Sequence, residues 1–167
     1  MVEKPDIDEV DWAILGLLAE NARMPVSTIA KNLRISREVA KYRLKKLVMD
    51  GSIKAFVTWP DLTKIGYPIY GYMHIRFKDL TTKREKEFID YVKADHNIPF
   101  ACSNLGSWDF AVEFLAQTPR HFYDLQRKVM EKFSDIVKDY ETGSFMEIHK
   151  MNYVPKPTAL KIRIQHT

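Results

Sequence analysis

A single cysteine, Cys102, in 167 residues leaves no internal disulfide to be formed. The five histidines (His74, His96, His121, His149 and His166) are scattered without the spacing of a zinc cage, so no metal ligand is nominated. No P-loop, nucleophile elbow or paired-carboxylate signature is present, so the sequence nominates no catalytic residue and no cofactor. No apolar run approaches the about 20 residues that a membrane span needs. The opening Met1-Val2-Glu3-Lys4-Pro5-Asp6 is too acidic and polar for a secretory signal. These absences point to a cytoplasmic globular chain with no membrane partner.

Hydrophobic residues make up 46% and charged residues 29%, as in ordinary globular proteins. The net charge of +4 is modest, and its placement is more informative than its size. Residues 1–30 hold two basic against six acidic side chains, whereas residues 31–54 hold eight basic against two acidic. A basic block on a folded segment is the electrostatic footprint of phosphate-backbone binding, although it can also be a solvated helix face.

The block lies in a patterned region. An apolar stripe of Val10, Trp12, Ile14, Leu15, Leu17 and Leu18 predicts a helix over Asp8–Glu20, with Asp8 as its cap and Asp11 in its first turn. Pro25 fits the start of a short second helix, in which Val26, Ile29, Ala30 and Leu33 share a face. After Arg34-Ile35, Ser36 caps a third helix to about Met49, and Gly51 can close it in the left-handed conformation. On this helix Ala40, Leu44 and Leu47 form the buried centre and Glu38, Lys41, Tyr42 and Lys45 the opposite face. Arg37 lies in the first turn, while Arg43 and Lys46 flank the buried side. Ile53–Trp59 has the β-branched and aromatic content of a strand. Three helices and a strand make a winged helix-turn-helix. Its third helix offers a major groove basic donors and, in Tyr42, a hydroxyl and a stacking ring.

Through the same region run Ile7-Asp8-x-x-Asp11-x-x-Ile14-Leu15-x-x-Leu18, then Asn21-x-Arg23, Ile29-Ala30, Ile35-Ser36 and Val39-x-x-x-Arg43-x-x-x-Leu47. The string closes with Gly51-x-Ile53 and Leu62-x-x-x-Gly66. In these residues and spacings the chain closely resembles the leucine-responsive/asparagine-regulatory (Lrp/AsnC) family of transcription regulators. The resemblance implies sequence-specific binding of double-stranded DNA by the Ser36–Met49 helix, and a C-terminal sensing domain of βαββαβ form. The DNA-contacting candidates are therefore Arg34, Ser36, Arg37, Glu38, Lys41, Tyr42, Arg43, Lys45 and Lys46. One departure stands out: the family often has glycine where this chain has Arg34, and a positive φ there would cost arginine about 1 kcal/mol.

The second half has its own pattern. Residues 60–67 read as a linker punctuated by Pro60 and Gly66, with Pro68 following. From Ile69, alternation sets Ile69, Gly71, Met73, Ile75 and Phe77 against Tyr70, Tyr72, His74 and Arg76. A helix over 82–94, strands over 99–105 and 110–116, a helix over 119–133 and a last strand over 145–153 complete the order βαββαβ. That order predicts an α+β, ferredoxin-like antiparallel sheet with both helices on one face. The expected division is 1–59 for DNA binding, 60–67 as linker, 68–153 for oligomerisation and effector binding, and 154–167 as a tail, either disordered or an added edge strand. The uncovered sheet face with Tyr70, Tyr72 and His74 argues for a homodimer or a higher even-numbered oligomer.

The resemblance further implies an amino-acid or related effector near the turn Gly106-Ser107-Trp108-Asp109, at a contact between dimers. There, turn N–H groups and a nearby basic residue would hold a carboxylate and Asp109 an ammonium. A plain hairpin turn, with Asp109 bonding its own backbone, is the simpler alternative. Two other functions stay open: a haem-pathway decarboxylase related to the same family, and an adaptor whose helix-turn-helix no longer binds DNA.

Overall fold

The computed structural model describes residues 6–155. The chain divides into two compact units: residues 6–59 together with 150–155, and Pro60–His149. The first holds α1 (Glu9–Glu20), α2 (Val26–Leu33) and α3 (Arg37–Met49). Asp8 caps α1 by accepting the N–H groups of Val10 and Asp11 at 2.9 and 3.0 Å, and Asp11 answers by accepting the Asp8 N–H at 3.3 Å. This reciprocal capping box satisfies N–H groups that the first turn leaves unpaired. Helix α2 ends on Arg34, which adopts the left-handed conformation at φ 55° and ψ 40°. Ser36 then caps α3 through the Val39 N–H, and Gly51 follows the helix at φ 79°. Ile14, Leu17, Leu18, Ile29, Ala30, Ala40 and Leu47 form the core between the helices, with Leu44 half-buried at its edge. Each large side chain in this set contributes about 1.5–3 kcal/mol through burial.

The expected wing strand is not formed. Residues 53–59 pair with no strand among the described residues; Ile53 donates its N–H back to the Leu47 carbonyl at 2.8 Å, and Phe56, Val57 and Trp59 are exposed. Their composition suits a strand, but a strand needs a neighbour to accept its backbone hydrogen bonds.

The second unit contains β1 (Ile69–Phe77), α4 (Thr82–Ala94), β2 (Phe100–Ser103), β3 (Phe110–Ala116), α5 (Pro119–Phe133) and β4 (Val137–Ser144). The sheet order is β2-β3-β1-β4, and every neighbouring pair is antiparallel. Met73, Ile75, Val112 and Phe114 from alternate strand positions bury against Phe88 and Val92 of α4 and Leu125, Val129 and Phe133 of α5. Both helices therefore cover one face. Gly71 permits the close approach of α5: a Cβ there would lie 2.4 Å from the Phe122 ring and 2.8 Å from the Gly143 carbonyl oxygen.

The last strand differs from expectation. It spans Val137–Ser144 rather than 145–153, and apart from Val137 it is exposed or only half-buried. An edge strand can be almost wholly polar, so no apolar alternation marks it. The alternating segment after it adds no strand of its own, although Phe145 donates its N–H to the Tyr70 carbonyl at 2.8 Å. The expected tail lies outside the described residues from 156 onward.

Candidate nucleic-acid interface

The third helix sorts its basic residues into two groups. Arg34, Ser36, Arg37, Glu38, Lys41, Tyr42 and Lys45 are all exposed, and Tyr42 has 68% of its surface free. Spacing from Glu38 through Tyr42 to Lys45 puts these three on one outward ridge, flanked by Lys41 and Arg37. Arg34 precedes this face, presented by its left-handed backbone at the turn between α2 and α3.

Arg43 and Lys46 point elsewhere. Arg43 Nη1 lies 3.3 and 3.2 Å from the two carboxylate oxygens of Asp11 and also bonds Asp8 Oδ2. Asp11 is fully buried, the one charged residue so placed among the described residues. Lys46 Nζ reaches the Asp6 carboxylate at 2.8 Å and its carbonyl at 3.1 Å. The Asp11 N–H and then the Arg43 guanidinium hold the Asp8 carboxyl below its usual range, and Asp8 in turn raises the pKa of Arg43. Sequence reasoning identifies Asp8 and Asp11 only as helix-end residues. Their second role, clasping α1 to α3, depends on helix packing that spacing along one helix does not reveal.

In the other unit, the helix-free sheet face carries a continuous aromatic row. Tyr70 and Tyr72 lie with their ring centroids 4.9 and 5.4 Å from Phe145. Tyr72 meets His74 at 4.7 Å, and His74 meets Trp108 at 6.3 Å. Tyr70 also donates its hydroxyl to Glu113. The row ends at the turn Gly106–Asp109. There Arg76 donates from Nε and Nη2 to the Ser107 carbonyl at 3.0 and 2.7 Å, and its guanidinium stacks 5.1 Å from the Trp108 ring.

Asp109 accepts the Phe77 N–H at 2.8 Å, while its own N–H donates to Ile75 O at 2.9 Å. Its carboxylate thus extends the β1–β3 ladder by one rung, and bonds a neighbouring strand rather than its own turn. Arg76 is the basic residue beside the turn that sequence reasoning leaves unnamed; its signal is its place in the alternation with Tyr70, Tyr72 and His74. Among the described residues no group of side chains could hold a metal ion, and no helix is long and apolar enough to cross a membrane.

Comparison with known proteins agrees with this layout. The AsnC-type helix-turn-helix domain model matches residues 7–48. An uncharacterized HTH-type transcriptional regulator of Pyrococcus horikoshii is 26% identical over 152 residues, covering 90% of this chain and 92% of the relative. The crystal structure of an AsnC family transcriptional regulator from Agrobacterium tumefaciens superposes with a TM-score of 0.78 at 20% identity, covering 88% of this chain and 95% of that one. A transcriptional regulator of Neisseria meningitidis, solved as a complex with L-Met, gives 0.79 at 16% identity over 89% and 96%. Residues 7–48 thus form an AsnC-type helix-turn-helix domain with an outward basic helix, and along its length the chain is similar to HTH-type transcriptional regulators and shares the fold of AsnC family structures.

Proposed function

We propose that this regulator binds double-stranded DNA as a dimer or higher even-numbered oligomer, each protomer laying α3 in the major groove. The observation that carries the reading is the outward face of α3. Arg34, Arg37, Lys41 and Lys45 are exposed cations within reach of phosphates, with Ser36, Glu38 and Tyr42 among them as polar groups. Arg43 and Lys46 belong to the same helix but serve its attachment to α1. The aromatic row supports the dimer, since an apolar face rimmed by Arg76 and Glu113 is suited to a second copy of the same face. Chromosomal DNA as the target implies action in the cytoplasm.

The effector part of the proposal rests on the turn Gly106–Asp109. Arg76 and the turn offer donors for a carboxylate, Trp108 an apolar wall, and the Asp109 carboxylate, although bonded to Phe77 N–H, keeps acceptor capacity for an ammonium. The L-Met complex of the Neisseria relative makes an amino acid the first class to try. Regulation, rather than tetrapyrrole decarboxylation or a DNA-free adaptor role, is the reading that a basic α3 supports.

Selection of binding sites from randomised duplex DNA tests the central part. Enrichment of a two-fold symmetric sequence is expected, its half-sites about one helical turn apart. Failure to enrich any sequence overturns DNA reading. Sedimentation with L-Met and the other amino acids tests the effector; unchanged assembly and unchanged DNA affinity across all of them removes that part alone.

A further inference from the structure

The outward face of α3 contains one acidic group, Glu38, amid Arg34, Arg37, Lys41 and Lys45. It is exposed and makes no hydrogen bond or ion pair among the described residues. Glu9 and Glu85 are likewise exposed helical carboxylates without a partner among the described residues, so what sets Glu38 apart is its place among the cations of α3. Several helix charges at such spacings do pair: Arg84 with Glu87, Lys86 with Asp90 at 2.6 Å, Arg127 with Glu131. Lys41, three residues on from Glu38, is left unpaired with it. Nor does Glu38 complete a capping box, because the third helical position after Ser36 is Val39.

We infer that Glu38 reads a base edge and selects cytosine at one position in each half-site, an inference that rests on α3 being the recognition helix. The first turn of such a helix is the part that meets base edges. A carboxylate beside phosphates is repelled, so Glu38 gains from the complex only where the groove presents a donor. Guanine presents two acceptors, N7 and O6, and thymine an acceptor and a methyl group. Adenine offers its N6 amino group, but with the N7 acceptor beside it. Cytosine N4 is a donor with no adjacent acceptor on the same base, which is the match for an ionised carboxylate. The surrounding cations bind backbone of any sequence; Glu38 supplies the discrimination they lack.

The test repeats the selection from randomised duplexes with the wild-type chain, Glu38→Gln and Glu38→Ala, each checked for helix content by circular dichroism. The wild type is expected to enrich cytosine at one position per half-site. Glu38→Gln moves that position toward adenine, whose N6 and N7 suit an amide, and Glu38→Ala leaves it degenerate; all other positions are unchanged. In direct titration, replacing that cytosine weakens the wild type about tenfold or more and Glu38→Ala far less. The same enriched bases in all three proteins, with both variants binding every sequence more tightly, would mean that Glu38 only repels phosphate, and the inference fails. A wild-type chain that enriches nothing refutes α3 as a DNA reader, and the inference with it.

Discussion

Replacing Arg43 by methionine leaves the buried Asp11 carboxylate without its cation while keeping most of the apolar stem. The Asp11 side chain is 1% exposed and that of Arg43 28%, so this pair is poorly screened; the Asp8 side of the triad, at 50%, adds little. Breaking one partner of a buried pair costs about 3–5 kcal/mol. Asp11 retains the Asp8 N–H at 3.3 Å, which lowers the expected cost to about 2–3 kcal/mol.

For a helical unit of this size the expected fall in melting temperature is about 10–20 °C. The assay is thermal and urea unfolding followed by circular dichroism at pH 7, with Arg37→Met as the control. Arg37 is exposed and makes no ion pair among the described residues, so its variant is expected to lose less than about 0.5 kcal/mol. Equal destabilisation by the two variants would refute the clasp.

Arg34→Gly relieves a left-handed arginine at φ 55°, and unfolding is expected to show a gain of up to about 1 kcal/mol while DNA affinity falls, because the proposed DNA face loses a cation. Asp109→Ala is expected to cost about 1 kcal/mol through removal of the acceptor for the Phe77 N–H, and Asp109→Asn much less, since the amide oxygen still accepts; urea titration checks both. Acid should destabilise both units. Asp8 is held low by the Asp11 N–H and Arg43, Asp135 by Arg84 and Asp90 by Lys86, so their stabilisation is complete above the ordinary carboxylate range. It disappears as pH falls below about 4, whereas the raised Arg43, Lys46, Arg84 and Lys86 give up theirs only in strong alkali. A urea midpoint that begins to fall near pH 6 would contradict this assignment.

Much of this architecture is legible in the sequence because local signals agree with one another. Asp8, Ser36 and Gly51 mark helix ends chemically, and the spacing of Ile29, Ala30, Ala40 and Leu47 marks the core-facing sides. The alternation from Ile69 to Phe77 separates the helix-covered face from the open one. What sequence misses depends on partners distant along the chain. Ile53–Trp59 looks like a strand but pairs with no strand among the described residues, and Val137–Ser144, which carries no apolar alternation, is held by β1 at an edge where little is buried. The helical wheel likewise places Arg43 and Lys46 beside the basic ridge, but the acidic groups that claim them lie on and before another helix.

The central claim, that the outward cations of α3 lie on DNA phosphates, is tested most directly by the salt dependence of binding to a selected site. Replacing Arg37, Lys41 and Lys45 together by alanine should reduce the slope of log affinity against log salt by about 0.9 for each phosphate no longer neutralised, about 2.7 per protomer. An unchanged slope in a folded triple variant would contradict it.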